Sequence, residues 1–324
     1  MKILVACDGR SSADKLYSDL NRAGLPESAE VFVLSVADVF LVPGYKEKKS
    51  KRPADKTYLM YIDQEMQKAR AIASSMSRKL KSKFPRWRFH AEVSGGSPVG
   101  EILNKARERK VDLIVVGSHG RIGVGEFFFG SVALKVLSES ACSVRIVRSR
   151  TGETDSPSRI VIGVDGSVES DALITRLAAR HWKKGSAVHL VTAVNLVVYT
   201  AFLLEETVMS PMVATVSPEC PSIKKEWRTK DKNTTAWIKK MHEEYKSKLE
   251  KAGLIVSTLI KDGDPKVVLM EEARRWGADC IFVGAIGHDR MDRFLIGSVS
   301  SSIAARAHCS VEVVRNKKNR NNSV

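Results

Sequence analysis

The sequence predicts an α/β protein made of two tandem units, each with a parallel sheet that helices cover on both faces. At 324 residues the chain is about twice as long as a typical domain. The same series of motifs occurs twice along it, and in each copy near-continuous apolar strands alternate with helical segments. Strands of this kind are typical of parallel sheets buried between two layers of helices.

The repeat is visible when the chain is aligned with itself. KILVACDGRSSAD near the N-terminus aligns with RIVIGVDGSVESD at an offset of 157 residues. Later matches have an offset of 167, including CSVRIVRS at 142–149 with CSVEVVRN at 309–316. The second copy therefore contains ten additional residues between its second strand and its third helix.

Local signals justify each element in turn. Ser11 and Ser167 are candidate N-caps, and Pro98 and Pro265 stand where a helix tolerates proline, in its first turn. The predicted elements of the two copies are first strands at Ile3–Cys7 and Ile160–Val164, helices from Ser11 and Ser167, second strands at Val31–Val36 and Val188–Val194, long amphipathic helices at about Tyr58–Lys83 and Thr235–Ala252, third strands at Arg88–Ser94 and Leu254–Lys261, helices from Pro98 and Pro265, fourth strands DLIVVG and DCIFVG, and a last helix followed by a fifth strand.

The boundary between the copies is predicted in the polar stretch SRTGETDSPS, which has no apolar periodicity. We expect a first domain at 1–149, a linker at 150–158 and a second domain at 159–316. The basic tail at 317–324 has no hydrophobic residue except its last, and it is predicted to be disordered.

Composition limits the classes of function. The formal net charge is +16, but no zinc-finger or RNA-binding motif accompanies the basic runs, which disfavours nucleic acid as a partner. The longest nearly apolar run, Val194–Leu204, has 11 residues where a membrane span needs about 20. Together with an N-terminus that lacks the features of a secretory signal, this predicts a cytoplasmic protein with no membrane partner.

The five cysteines form neither a CxxC metal motif nor a disulfide framework. Cys7, Cys142, Cys280 and Cys309 lie in or beside apolar runs, where a thiol acts as a small hydrophobic side chain. Only Cys220 lies in a polar stretch. No metal site is predicted.

One spacing of glycines follows both fourth strands: Gly, two residues, Gly, nine residues, Gly-Ser. It occupies 117–131 in the first copy and 284–298 in the second. In doubly wound sheets, ligands bind beyond the carboxyl ends of the strands. Backbone N–H groups of such a loop, and of the helix that begins after Gly130 or Gly297, can hold a phosphate without a lysine. The residues between the glycines differ freely, as a site built from backbone permits.

Asp8-Gly9 and Asp165-Gly166 follow the first strands and are expected at the same edge of the sheet. A carboxylate there can accept hydrogen bonds from an adenine amino group or from ribose hydroxyls. It can equally cap the next helix, and the spacing alone leaves both interpretations open.

With these motifs the chain resembles a tandem universal stress protein over 1–315, through the Asp-Gly turns, the strands VFVLSV and VHLVTAV, and the two glycine spacings. The resemblance implies two Rossmann-like domains of the adenine-nucleotide alpha-hydrolase kind. Each has a five-stranded parallel sheet, and the last strands pair as an internal pseudo-dimer. It implies ATP or another adenine nucleotide as ligand and leaves Mg²⁺ open. The implied binding residues are Asp8 and Val36 in the first unit and Asp165 and Ala193 in the second for adenine and ribose, and Gly117, Gly120, Gly130, Ser131, Val132, Gly284, Gly287, Gly297, Ser298 and Val299 for phosphate.

The copies depart from each other at the proposed site. Arg10 follows the first Asp-Gly turn, where the second copy has Ser167, and Ala285 replaces Ser118, which removes a hydroxyl donor. The sequence therefore predicts two unequal sites.

The sequence has no P-loop, and no pair of acids recurs near the glycine loops, so it favours ATP binding with little or no turnover, with the nucleotide as a structural or signalling ligand in a stress response. His119 and His288 have no counterparts and are interpreted as solvated loop residues. A slow ATPase or nucleotidyl-transfer enzyme, and a nucleotide-free interaction or nucleic-acid-binding scaffold, stay as alternatives. A homodimer is also left open.

The basic runs KEKKSKR and KKEWRTKDK are both predicted in the connection between the second strand and the long helix. They are interpreted as solvated loops, with a role near bound nucleotide as the alternative.

Overall fold

The computed structural model describes residues 1–9, 13–39, 53–118, 130–148, 156–194, 221–286 and 296–316. The first unit contains β1 (Lys2–Ala6), α1 (Ala13–Asn21), β2 (Glu30–Ala37), α2 (Pro53–Lys83), β3 (Arg88–Gly95), α3 (Pro98–Glu108), β4 (Leu113–Gly117), α4 (Ser131–Glu139) and β5 (Ser143–Val147). The second unit contains β6 (Arg159–Gly163), α5 (Val168–Ala178), β7 (Ala187–Val194), α6 (Pro221–Lys251), β8 (Ile255–Asp262), α7 (Pro265–Arg275), β9 (Cys280–Gly284), α8 (Ser298–Arg306) and β10 (Ser310–Val314).

The strands of the described residues form one ten-stranded sheet in the order β3-β2-β1-β4-β5-β10-β9-β6-β7-β8. The pairs within each unit are parallel. The two halves meet in the antiparallel pair of β5 and β10, with Arg145 opposite Glu312. The predicted fold class is confirmed, including the pairing of the last strands.

Helices cover both faces of this sheet, and side chains of successive strand residues point to alternate faces. In β1, Ile3 and Val5 join the core under α1 and α2, whereas Leu4 joins the core under α3 and α4. The second unit has its own core under α5 and α6. On the opposite face a single cluster continues from the first unit into the second and includes Val144, Ile146, Val311 and Val313.

Two of the predicted helix starts have a side-chain cap. The Ser167 hydroxyl caps α5 by accepting a hydrogen bond from the Ser170 N–H. The Asp264 carboxylate caps α7 by accepting from the Lys266 N–H at 2.7 Å. The prediction for the start of α1 falls at Ser11, outside the described residues.

One predicted loop is wrong. The second basic run, 224–232, lies inside α6, which begins at Pro221. Proline at the first position favours the start of a helix, and no glycine or further proline interrupts the segment up to Lys251. The first basic run, Ser149 with the first part of the predicted linker at 150–155, and the tail at 317–324 lie outside the described residues, as do Arg10, His119, Gly120, Cys220, Gly287 and His288.

Candidate functional site

In the first unit, three strand ends meet where the strand order reverses. Ala6, the last residue of β1, has register partners in both neighbouring strands, β2 and β4. Relative to this row of register partners, Asp8 and Val36 each lie two residues further along the chain. Gly117 lies one residue further along β4, on the opposite side of β1 from β2. This topological switch point is where ligands of doubly wound sheets bind.

The second unit repeats the arrangement. Gly163, the last residue of β6, is in register with Val191 of β7, so Asp165 and Ala193 both lie two residues further on. Gly284 ends the neighbouring strand β9. The described residues Asp165, Ala193 and Gly284 thus lie at the carboxyl edge of the second half of the sheet, as Asp8, Val36 and Gly117 do in the first.

A backbone hydrogen bond brings the start of each last helix back to the end of the fourth strand. The Gly130 N–H donates to the Ser118 carbonyl at 3.0 Å, and the Gly297 N–H donates to the Ala285 carbonyl at 2.7 Å. The same contact forms with serine or alanine at the acceptor position because it uses only main-chain atoms. The strand ends and helix starts are therefore adjacent in both units.

Gly130 and Gly297 are the N-cap residues of α4 and α8, and neither helix has a side-chain capping hydrogen bond among the described residues. Ser131 and Ser298, the first residues of these helices, are exposed. The first turn of a helix presents N–H groups without helical partners and about half a positive charge. Each last helix therefore offers an uncapped, electropositive end beside the described glycines of the repeated spacing, Gly117 with Gly130 and Gly284 with Gly297.

The second site has a brace that the sequence reasoning missed. The Ser300 hydroxyl donates to the Gly284 carbonyl at 2.5 Å. At the aligned position the first copy has Ala133, so the difference between GSVSSSI and GSVALKV was the available signal. Gly284 is itself close-packed, since a Cβ there would lie 3.1 Å from Cβ of Glu169.

Asp165 takes part in the turn that leads into α5. Its Oδ1 accepts hydrogen bonds from the Ser167 N–H at 3.0 Å and the Ser170 hydroxyl at 2.7 Å. Ser167, and not Asp165, is the N-cap of this helix. Asp165 is nevertheless exposed, as is Asp8. In the second unit, Asp165 therefore stabilises the turn and is also exposed to solvent at the sheet edge.

The glycine after each aspartate is required by the backbone. Gly9 and Gly166 have φ of 85° and 80°, a region that other residues rarely adopt. A Cβ on Gly166 would lie 2.3 Å from the Trp237 ring, whereas a Cβ on Gly9 would lie 3.1 Å from Ile72. Trp237 is 50% exposed. The turn is thus covered by an indole in one unit and by an aliphatic side chain in the other.

A buried polar chain supports the end of β6. The Thr192 hydroxyl donates to the Val164 carbonyl at 2.9 Å, so it accepts from Nε2 of His242, which lies 2.8 Å away. Burial lowers the pKa of His242 to about 4, and the nearby Glu243 only partly offsets this. The imidazole is therefore neutral at pH 7, with its proton on Nε2.

The universal stress protein family model matches residues 1–148 and 157–315. The chain belongs to the universal stress protein family. A universal stress protein of Bacillus subtilis is 32% identical over 154 residues, which are 45% of this chain and 98% of that protein. A universal stress protein of Archaeoglobus fulgidus has the same fold over nearly the whole chain, with a TM-score of 0.61, 18% identity, and coverage of 98% of this chain and 97% of the other.

Ser118 and Ala285, which distinguish the two sites of this universal stress protein in sequence, are both buried. The predicted loss of a hydroxyl donor is therefore a difference within the protein interior and not on the open edge. Burial beside the Asp8 carboxylate raises the pKa of the Cys7 thiol to about 12, so this cysteine stays protonated. Cys7, Cys142, Cys280 and Cys309 are buried thiols that take part in no disulfide, which agrees with their interpretation as small hydrophobic side chains.

Two features are absent from the described part of this universal stress protein. No group of three His, Cys, Asp or Glu side chains there could hold a metal ion. No helix there has both the length and the apolar character that crossing a bilayer requires.

Proposed function

We propose that each unit of this universal stress protein binds ATP or another adenine nucleotide at the carboxyl edge of its sheet. The observation that carries the proposal is the backbone contact from Gly130 to Ser118, repeated from Gly297 to Ala285. It joins an uncapped helix start to the end of the fourth strand, beside the end of the first. Two diverged copies retain this arrangement although the residues between the glycines differ.

The chemistry divides each site into two ends. The N–H groups at the start of α4 and α8, with the hydroxyls of Ser131 and Ser298, are suited to phosphate oxygens. At the other end, Asp8 or Asp165 can accept hydrogen bonds from ribose hydroxyls or the adenine amino group, with Val36 or Ala193 against the base. Gly120 and Gly287 belong to the phosphate end in this proposal.

We propose that the nucleotide is a structural or signalling ligand and not a substrate that turns over. Hydrolysis requires a group that orients water and a means of holding a metal ion. In the described residues no three-residue metal cluster is present, so Mg²⁺ enters the proposal only as a partner of the phosphates. Cytoplasmic location is part of the same proposal.

The decisive variants are Gly130→Asp and Gly297→Asp. Aspartate is a favoured N-cap, so each change should keep or raise the stability of the nucleotide-free protein while its charge repels phosphate. In Gly297→Asp the added Cβ lies at an ordinary 3.4 Å from the Ala285 carbonyl. We expect millimolar ATP to raise the melting temperature of the native chain, less so in each single variant, and not in the double variant.

Gly100→Asp is the matched control, because it makes the same change in α3, where a Cβ meets nothing closer than 3.9 Å. Its ATP-dependent stabilisation should equal that of the native chain. Absence of stabilisation in the native chain, or its persistence in the double aspartate variant, would contradict the proposal. Release of ADP from ATP in the same samples would favour the ATPase alternative.

A further inference from the structure

The two units meet along a seam formed by strands β5 and β10. This seam carries opposite charges at equivalent positions of the two copies. At the centre of the β5–β10 pair, Arg145 is opposite Glu312. They are buried, with exposures of 1% and 0%. In the aligned copies CSVRIVRS and CSVEVVRN they occupy the same place, so the internal twofold axis exchanges them. A twofold pair of identical units would instead bring each of them opposite itself.

Each charge has two partners, one across the strand pair and one within its own unit. Nη1 of Arg145 lies 3.1 Å from Oε2 of Glu312, and the same guanidinium makes two hydrogen bonds to Asp19, at 2.6 and 3.0 Å. On the other side, Arg180 pairs with Glu312 and donates to the Ala23 carbonyl at 2.7 Å. The network is therefore complete only when an arginine strand meets a glutamate strand.

Side-chain packing across the seam also differs between the two units. Trp182 of the second unit packs over Gly24 of the first, where a Cβ would lie 2.6 Å from the indole ring. At the offset of 157 residues, the position equivalent to Gly24 in the second unit is His181. A pair of two second units would therefore place a histidine side chain where the indole needs a glycine.

We propose that this seam selects its partner: the first unit pairs with the second unit and not with another copy of itself. Two opposed Arg145 or two opposed Glu312 would each keep one counter-ion but lose the cross-strand one, with like charges directly facing in a buried place. Buried ion pairs add little net stability compared with apolar residues, but they penalise wrong partners strongly. Arg145 and Glu312 are the central residues of β5 and β10 and not strand ends, and the proposal does not depend on nucleotide binding.

The test begins with the folded full chain, with a protease recognition sequence placed in the predicted linker, 150–158. After cleavage, the mixture is unfolded in urea, refolded by dilution and weighed by native mass spectrometry. We expect pairs of one first and one second unit to dominate. Pairs of identical units, or separated units, would overturn the proposal.

Two variants test whether the Arg145–Glu312 pair causes the preference for unlike units. Arg145→Glu places two carboxylates opposite each other in the native pairing, so the preference for unlike pairs should be lost. Glu312→Gln keeps the shape, removes one charge and should weaken the preference even if the reversal impairs folding. Arg86→Glu is the control, because Arg86 and its partner Glu27 are both exposed to solvent, and it should leave the pairing unchanged. An unaltered preference in both seam variants would show that the ion pair does not select.

Discussion

The two units have corresponding strands and helices but differ at single buried residues, of which His242 is one. His242 lies seven residues before the fully buried Leu249, as Ala73 lies seven residues before the fully buried Leu80. At this spacing from the leucine the first unit has a methyl group and the second an imidazole, which has the Thr192 hydroxyl as its partner. The polar chain through Thr192 fixes the end of β6 next to Asp165, so one substitution links a core position to the candidate site.

We predict that His242 makes the protein less stable in acid. Its pKa is lowered in the folded state to about 4 from an unfolded value of 6.5. Between these values the unfolded chain binds the proton and the folded chain does not, so this contribution is intact above pH 6.5 and is lost as pH falls toward 4. The loss amounts to about 3 kcal/mol of unfolding free energy.

Urea unfolding at pH 7.5, 6, 5 and 4 measures the effect. His242→Gln retains an N–H donor for Thr192 without a titrating ring, so its stability should fall less over this range. His181→Gln, a change at an exposed histidine, is the control and should follow the native chain. Equal pH profiles for all three proteins would exclude His242 as the cause.

At the scale of elements, strands and caps could be predicted because their signals are local. Apolar runs located the strands to within one or two residues, and Ser167, Pro98 and Pro265 marked helix starts. The predicted start of α6, Thr235, was wrong, because the lysine-rich first half of the helix from Pro221 shows no apolar periodicity. Of the candidate site, the sheet edge and the positions of its described glycines were predictable, whereas the contacts of Ser300 and Trp237 depend on which helix face meets the turn.

Capping gives a prediction at this scale. Ser167→Ala removes the hydroxyl that accepts from the Ser170 N–H at 3.3 Å, and it should lower the unfolding free energy by about 1 kcal/mol. Ser97→Ala is a matched control, because Ser97 is the N-cap of α3 but its side chain makes no capping hydrogen bond. Urea unfolding at pH 7.5 compares the two. Equal losses would mean that the cap of α5 contributes nothing specific.

At the scale of the whole molecule, the two faces of the seam differ in character. One face carries the buried charges of Arg145 and Glu312, whereas the other is apolar and belongs to a core shared by both units. Apolar burial supplies most of the free energy of folding, and charge decides which surfaces may meet. The sequence predicted the pairing of the last strands but neither the buried ion pair nor the shared core. The opposite charges of two aligned strands indicate an ion pair only once those strands are known to be neighbours.

The shared core leads to a prediction about cooperativity. A sheet and a core that continue through both units should unfold together, so calorimetry should show one transition with equal calorimetric and van't Hoff enthalpies. Val313→Ala removes two methyl groups from the fully buried apolar side of β10 and should cost roughly 2 kcal/mol. Because the first unit shares that core, hydrogen exchange in β1 should accelerate along with exchange in β6. Val168→Ala, at a valine that is 67% exposed, should change neither. Two separate transitions, or faster exchange confined to the second unit, would show that the halves fold independently despite their common sheet.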